Sequence, residues 1–226
     1  MAQTVDPAPD EANRFEAMRH AMVASQLRTN AVNDPRVVEA MAIVAREDFL
    51  PAEHRAIAYR DTLLPLAGGR RHNSPLATGR LLTEAHVQSG DRVLLIGAAG
   101  GYAAAVLAKL AGTVVAVEEE PSLVAIARAA LAGESRVQIV EAPLAAGCPA
   151  SGPYDLLVID GAIEEMPETL LAQLKDGARV VTGVVDRGIT RLAHGRKTAG
   201  GFALADFLDI ECAELPGFQR KRTFTF

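Results

Sequence analysis

The second half of the chain alternates short apolar runs with stretches of helical periodicity. Apolar runs rich in β-forming residues occur at 93–96, 114–117, 137–140, 156–160 and 179–181. Alanine- and leucine-rich stretches with helical spacing separate them, for example over 103–110 and 122–131. Continuous apolar runs joined by helices are typical of parallel strands with crossover connections. This half is therefore predicted to be an α/β unit with a mostly parallel, doubly wound sheet.

The chain ends in a different pattern. Two more β-type runs, 188–197 and 202–212, follow each other with only a short turn over 198–201 between them. That turn contains two glycines and no helical stretch, which favours an antiparallel connection. An antiparallel pair is expected at the C-terminal edge of the sheet.

The first third of the chain has helical spacing. Apolar positions recur every three or four residues between Phe15 and Leu27, and Asp34-Pro35 is typical of a cap and first turn for a helix reaching Ile43. A loop with two glycines and two prolines is expected over 62–75, followed by a helix over 76–86.

These patterns give a simple domain organisation. Residues 1–12 are polar, acidic and interrupted by proline, so they are predicted to be a disordered tail. Residues 13–226 are predicted to form one domain, with extra N-terminal helices and a long loop over 13–88 and the sheet over 89–226. A chain of 226 residues with 49% hydrophobic content can bury one substantial core.

Composition and charge narrow the possible partners. A formal net charge of -5 argues against a basic surface for nucleic acid, and no apolar run reaches the length of a membrane span. No targeting segment is recognised at the start, and Cys148 and Cys212 have no paired spacing. We therefore expect a cytoplasmic protein without nucleic-acid or membrane partners. The histidines are too scattered to predict a metal site, and the oligomeric state stays open.

The first predicted strand ends in a loop of small residues. Gly97, Ala98, Ala99, Gly100 and Gly101 follow it directly. Ligands of open parallel sheets bind beyond the carboxyl ends of the strands, where small residues let the main chain approach and a helix N-terminus offers free N–H groups. The loop therefore predicts a ligand site, although a tight strand-to-helix turn would use the same residues.

An acid at the end of the next strand suggests what the ligand is. Glu118 lies about 20 residues after the loop, where a carboxylate can accept hydrogen bonds from two ribose hydroxyls. The dinucleotide fingerprint fits poorly, because its second and third glycines would fall on Ala99 and Tyr102. A nucleoside cofactor without pyrophosphate is favoured over a nicotinamide cofactor. A solvated acid at a strand end is the alternative for Glu118.

Motifs along the chain from Met22 onward resemble the protein-L-isoaspartate O-methyltransferase family. The resemblance rests on segments that occur in the family's order, namely MVASQL, AREDFLP, VLLIGAAGGYAAAVLAKLAG, VVAVEEE and PYDLLVIDGA. It implies a Rossmann-like S-adenosylmethionine methyltransferase fold. It also implies transfer of a methyl group from S-adenosylmethionine to the isoaspartyl carboxylate of damaged proteins or peptides, which allows their repair.

The resemblance also implies which residues hold the cofactor. They are Gly97, Ala98, Ala99, Gly101, Glu118, Glu119, Ala142, Pro143 and Asp160. Several depart from the family pattern. Ala99 stands where the middle glycine of the loop is usual, Leu95 replaces an acid before the loop, and Pro143 replaces the aspartate that holds adenine. Asp160 is an added acid beside the expected cleft.

The substrate loop departs further. It reads GRRHNSP over 69–75, so Asn73 occupies the position of the family's active-site serine and Arg71 that of the threonine beside it. Both are the candidate catalytic residues, because amide and guanidinium groups can donate hydrogen bonds to a carboxylate. The alternative is that Arg70 and Arg71 are solvated loop residues and that His72 is satisfied by nearby backbone.

Three functions stay open from the sequence. The first is an isoaspartyl-repair methyltransferase, in which an already ionised carboxylate attacks in line and needs positioning rather than a strong base. The second is a degenerate relative that acts as a binding or regulatory module, because Ala99, Leu95, Pro143 and Asn73 occur together. The third is a methyltransferase for another carboxylate or small molecule, suggested by the two arginines of the loop.

Overall fold

A computed structural model describes residues 9–220 of the chain. The strands in chain order are β1 (Leu64–Pro65), β2 (Arg71–His72), β3 (Arg92–Ile96), β4 (Thr113–Glu118), β5 (Val137–Glu141), β6 (Tyr154–Ile163), β7 (Leu174–Asp186), β8 (Ile189–Arg196) and β9 (Leu204–Asp209). The helices are α1 (Pro9–Met22), which continues as a π-helical segment (Val23–Leu27), α2 (Pro35–Ile43), α3 (Pro75–Glu84), α4 (Tyr102–Ala108), α5 (Pro121–Ala130) and α6 (Glu168–Leu171).

One sheet of seven strands organises the described residues. Its order is β5-β4-β3-β6-β7-β8-β9, with parallel pairing from β5 to β7 and antiparallel pairing of β7 with β8 and of β8 with β9. The α/β fold with an antiparallel C-terminal edge is thus confirmed. The strand order reverses at β3, whose neighbours are β4 and β6, and such a switch point is where open α/β sheets bind ligands.

The main differences from the predicted strands are at β6 and β7. The pattern predicted 156–160 and 179–181, whereas β6 spans Tyr154–Ile163 and β7 spans Leu174–Asp186. The pairing of β6 with β7 contains register shifts. The two strands therefore continue beyond the polar and glycine residues that interrupt the apolar pattern. The second half of β7 also pairs residue by residue with β8.

Two expectations for the front of the chain need correction. The loop predicted over 62–75 contains a small hairpin, in which Leu64 pairs with His72 and Pro65 with Arg71. The helix α1 already begins at Pro9, so residues 9–12 are not part of a disordered tail. A proline in the first turn and the acidic pair Asp10 and Glu11 both favour a helix N-terminus there. Residues 1–8 of the predicted tail lie outside the described residues.

Apolar side chains cover both faces of the sheet. Alternate residues of β3 point to opposite sides, so that Leu95 joins one core with the front helices and α4, while Leu94 and Ile96 join the other with Leu170 of α6. Leu95, where the resemblance implies an acid before the loop, is fully buried. Its side chain therefore belongs to the core under the front helices. Among the described helices, none is long and apolar enough to cross a bilayer.

The glycine loop after β3 is also a packing surface. A Cβ atom on Gly100 would overlap the carbonyl oxygen of Phe49, and one on Gly101 would lie 2.9 Å from the Leu131 Cδ1 atom and 3.2 Å from the Ala127 Cβ atom. These two glycines therefore let the front of the chain and α5 approach the loop closely. Close packing inside the protein therefore explains why these two positions are glycine, whether or not a ligand binds beside them.

This packing predicts that Gly100→Ala destabilises the protein. The added methyl meets main chain rather than a movable side chain, so the free energy of unfolding should fall by roughly 2 kcal/mol or more. Gly133→Ala is the matched control, because a Cβ there has no atom within 4 Å. Urea unfolding of both variants measures the difference. Equal stabilities would contradict the close approach of Phe49 to the loop.

Candidate functional site

The candidate site lies at the carboxyl ends of β3 and β4, and its central group is the carboxylate of Glu118. This side chain is fully buried at the end of β4. It accepts hydrogen bonds from three main-chain amides, those of Ala99 at 2.7 Å, Glu119 at 3.0 Å and Glu120 at 3.1 Å. The structure therefore brings Glu118 to the glycine loop, as the spacing predicted.

Arg70 supplies a fourth donor to this carboxylate. Its Nη1 atom lies 2.5 Å from Oε1 of Glu118, and the two side chains are 4% and 0% exposed. The interpretation of Arg70 as a solvated loop residue is wrong. The Arg70 guanidinium therefore bonds the same Glu118 carboxylate that the sequence predicted to bind two ribose hydroxyls.

The open side of Gly97 also faces side chains of the protein. Gly97 has a φ of +78°, and a Cβ there would lie 3.0 Å from the Leu215 Cδ1 atom and 3.5 Å from the Arg70 Nη2 atom. Leu215 is held in place by a hydrogen bond from its amide to the Ala162 carbonyl, at 2.9 Å. The space beside the bare main chain of Gly97 is thus lined by Leu215 and Arg70.

Asn73 and Asp160 form a second buried polar contact. The Asn73 amide nitrogen donates to Asp160 Oδ1 at 2.8 Å, and its oxygen accepts from the amide of Ala213 at 2.7 Å. Thr78 Oγ1 donates to the same carboxylate oxygen at 3.1 Å. Burial raises the pKa of Asp160, while the hydrogen bonds from Asn73 and Thr78 oppose that rise. Both ends of the Asn73 amide are therefore engaged, and its catalytic role stays a prediction.

Arg71, the other candidate catalytic residue, points to the surface. Its side chain is 56% exposed, and its Nη1 atom lies 3.8 Å from Oε1 of the exposed Glu211. Neighbouring residues of an extended segment point in opposite directions, which explains why Arg70 and His72 are buried while Arg71 is not. Its catalytic role also stays a prediction.

The remaining predicted cofactor residues lie around the end of β5. The amide of Ala142 donates to the carbonyl of Glu118 at 3.1 Å, which keeps this segment next to β4. Pro143 is exposed, and Glu119 Oε2 accepts from the Leu144 amide at 3.4 Å. Glu119 thus binds the segment after β5. The assignment of Glu119, Ala142 and Pro143 to a cofactor stays a prediction.

A buried cluster that the sequence did not indicate supports the substrate loop. Arg46 is fully buried, donates to the Ala58 carbonyl at 2.8 Å, has Nη2 3.0 Å from His72 Nδ1 and lies 4.8 Å from the centre of the Tyr102 ring. Burial holds the pKa of His72 well below its usual value and raises that of Tyr102 to about 12. Burial thus favours the neutral form of both side chains. A neutral His72 can accept at Nδ1 from Arg46, whose Nη2 atom also donates to the Asn73 carbonyl.

Leu215 and Thr78 carried no sequence signal that links them to this site. For Arg70 a signal existed, because an extended loop places it on the same side as His72 and opposite to Arg71. Its partner could not be identified from that alternation, since Glu118 is distant in the chain.

Known proteins of one family are similar to this chain over most of its length. Residues 18–210 match the family model described as protein-L-isoaspartate(D-aspartate) O-methyltransferase. Protein-L-isoaspartate O-methyltransferase 1 of Rhodopseudomonas palustris strain HaA2 is 37% identical, over 92% of this chain and 84% of its own. A protein-L-isoaspartate O-methyltransferase of Methanoregula boonei is 39% identical, over 76% of this chain and 80% of its own.

Two solved structures have the same fold. One, a protein-L-isoaspartate O-methyltransferase, has a TM-score of 0.77 at 24% identity and covers 88% of this chain and 66% of that one. The other, from Plasmodium falciparum and named for the same activity, was determined in complex with S-adenosyl-L-homocysteine. Its TM-score is 0.71 at 17% identity, over 89% of this chain and 97% of that one.

The loop residue Ala99 has a backbone conformation that favours glycine. Its φ is +48°, in the left-handed region where a Cβ atom is unfavourable. Its amide is nevertheless needed, because it donates to Glu118 at 2.7 Å. The contact with Glu118 therefore holds Ala99 in a strained conformation.

We expect Ala99→Gly to stabilise the protein by about 0.5–1 kcal/mol, because relief of the strain exceeds the extra chain entropy of glycine. Ala98→Gly is the control, since Ala98 is not among the residues with positive φ and should lose stability on the same change. Thermal and urea unfolding measure both effects. A destabilised Ala99→Gly variant would contradict the strain.

Proposed function

Because the chain belongs to the protein-L-isoaspartate O-methyltransferase family, we propose that it transfers a methyl group from S-adenosylmethionine to the isoaspartyl carboxylate of damaged proteins and peptides. The observation that carries the proposal is the family match over residues 18–210, together with Glu118 fixed by three main-chain amides beside the glycine loop. The relatives that share 37% and 39% identity are named for this reaction.

The main chain of the site suits an adenosine-type cofactor. Gly97 presents bare backbone at the end of β3, and Glu118 has the position and the buried carboxylate to accept from ribose hydroxyls. The side chain of Arg70 has to leave for a ribose hydroxyl to bond Oε1 of Glu118, and Leu215 has to move for a ligand to reach the main chain of Gly97. When bound, S-adenosylmethionine supplies an electrophilic methyl group on a sulfonium.

The acceptor requires orientation rather than activation. Its carboxylate is ionised at neutral pH, so the chain needs no general base and has to hold an oxygen in line while excluding water. Arg71 is suited to bind it, because the exposed, 3.8 Å contact with Glu211 is weak and easily exchanged. Asn73 is suited to a positioning role, since its amide joins Asp160 to Ala213.

A cytoplasmic location is part of this proposal. Cys148 and Cys212 are both free thiols, which suits a reducing compartment. Damaged proteins and peptides with isoaspartyl residues are the proposed partners.

A non-catalytic binding role is the second candidate, and the ion pair of Arg70 with Glu118 is the observation that favours it. If that pair never opens, the fold stays intact while the nucleoside site stays closed. Direct measurement of nucleoside binding separates the two candidates.

The proposed reaction predicts a specific acceptor. With labelled S-adenosylmethionine, a peptide containing one isoaspartyl residue should gain a base-labile methyl ester, and the same peptide with ordinary aspartate should not. The two peptides differ only in which carboxyl group joins the main chain, so they are matched substrates. No ester above the enzyme-free blank on the isoaspartyl peptide would reject the proposed activity.

Arg71 is expected to affect the acceptor and not the cofactor. Arg71→Ala should raise the KM for the isoaspartyl peptide by about tenfold, the loss of one charged hydrogen bond, with the KM for S-adenosylmethionine unchanged. Arg187→Ala, which removes an exposed arginine from the turn before β8, is the control and should leave both constants unchanged. An unaltered peptide KM in Arg71→Ala would remove Arg71 from the acceptor site.

A further inference from the structure

The contact between Arg70 and Glu118 suggests how the cofactor site is controlled. We propose that Arg70 competes with the nucleoside for the Glu118 carboxylate and keeps the site closed until its side chain leaves. This inference rests on the proposed function in one respect, that the ligand is an adenosine-type cofactor. It makes Arg70 a determinant of cofactor affinity, without a direct part in methyl transfer.

The hydrogen-bonding capacity of Glu118 makes the competition direct. Oε1 accepts from Arg70 Nη1 and from the amides of Glu119 and Glu120, and Oε2 accepts from the amide of Ala99. Each carboxylate oxygen offers about two acceptor positions, so its three donors use Oε1 fully, whereas Oε2 keeps one position. The three amides are fixed by the main chain, so a ribose hydroxyl that bonds Oε1 has to replace Arg70.

The Arg70 side chain has one hydrogen-bond partner among the described residues. Its Nη1 atom bonds to Glu118, whereas its buried Nε and Nη2 atoms have no hydrogen-bond partner among the described residues. Unpaired buried N–H groups disfavour the closed arrangement. Gly68 and Gly69, with φ values of +63° and +73°, precede Arg70 and give it a loop rather than a helix or long strand as its support.

A structural ion pair in the same protein shows the contrast. Arg179 bonds both oxygens of Asp91 through Nη2, at 2.7 and 2.6 Å, and also donates through Nη1 to the carbonyls of Ala85 and His86. That guanidinium joins β7 to the turn after α3 through several contacts. The Arg70 guanidinium has one hydrogen-bond partner, Glu118, so one bond has to break for it to be displaced.

Leu215 lines the same space and must also yield to a ligand at Gly97. It is present in the unaltered protein and in all Arg70 variants, so the cost of moving it is part of every measured affinity.

Titration calorimetry with S-adenosylhomocysteine tests the competition without any turnover. Arg70→Gln and Arg70→Ala should bind at least about tenfold more tightly than the unaltered full-length protein, because no ion pair has to break. Arg187→Ala removes the same charge from an exposed residue in the turn before β8 and should leave this affinity within about threefold. Equal or weaker binding by both Arg70 variants, or no binding by them, would overturn the proposal.

The folded state of each variant is checked by circular dichroism and thermal unfolding, since loss of Arg70 leaves Glu118 without its charged partner. A measurement on the unaltered protein keeps the test independent of that risk. Phenylglyoxal labelling followed by mass spectrometry should show Arg70 protected in the free protein and reactive with saturating S-adenosylhomocysteine. Arg71, which is 56% exposed, is the internal reference. Continued protection of Arg70 at saturation would overturn the proposal.

The two proposals fail separately. Tight binding by Arg70→Gln with no methyl ester on the isoaspartyl peptide would reject the proposed activity and support the competition. Methyl transfer by the unaltered protein, with no gain in affinity in the Arg70 variants, would support the proposed activity and reject the competition.

Discussion

A buried carboxylate at the end of β4 determines how the rest of the site is built. Glu118 has no exposed surface, and an acid removed from water is tolerated only when donors replace the lost solvent. The glycine loop provides one through Ala99, even though the residue has to adopt a φ of +48° to do so. The substrate loop provides another through Arg70. The cofactor edge and the substrate loop are therefore joined through one acid.

A second buried acid links the same loop to the other side of β3. Asp160 at β6 accepts from Asn73 and Thr78, and the remaining oxygen of Asn73 accepts from Ala213 in the segment after β9. That segment also carries Leu215, which faces Gly97. Hydrogen bonds thus connect the loop at 69–75 to both strands and to the C-terminal segment.

The sequence predicted the sheet well because strand and helix periodicity are local properties. The position of Glu118 at the glycine loop followed from parallel strands ending at one edge. Burial of Arg70 and His72 did not follow, since it depends on partners that are remote in the chain, Glu118 and Arg46. The packing role of Gly100 could not be predicted either. The Phe49 carbonyl that excludes a side chain there belongs to a turn whose sequence has no regular apolar pattern. Local sequence patterns predict where helices and strands lie, whereas contacts between loops depend on the whole fold.

Two residues at which the resemblance implies departures from the family pattern contact each other. Asn73, which the resemblance aligns with the family's serine, donates to Asp160, which it marks as an added acid, and the Asn73 side-chain oxygen accepts from Ala213. A serine hydroxyl is shorter and has one donor, so it could not span both partners in the same way. Arg70 in turn meets Glu118, the acid that the family pattern retains. Arg70 and Asn73 of the altered loop thus each bond a buried acid of the sheet, at the end of β4 and in β6. These two acids set the position of the loop relative to the sheet.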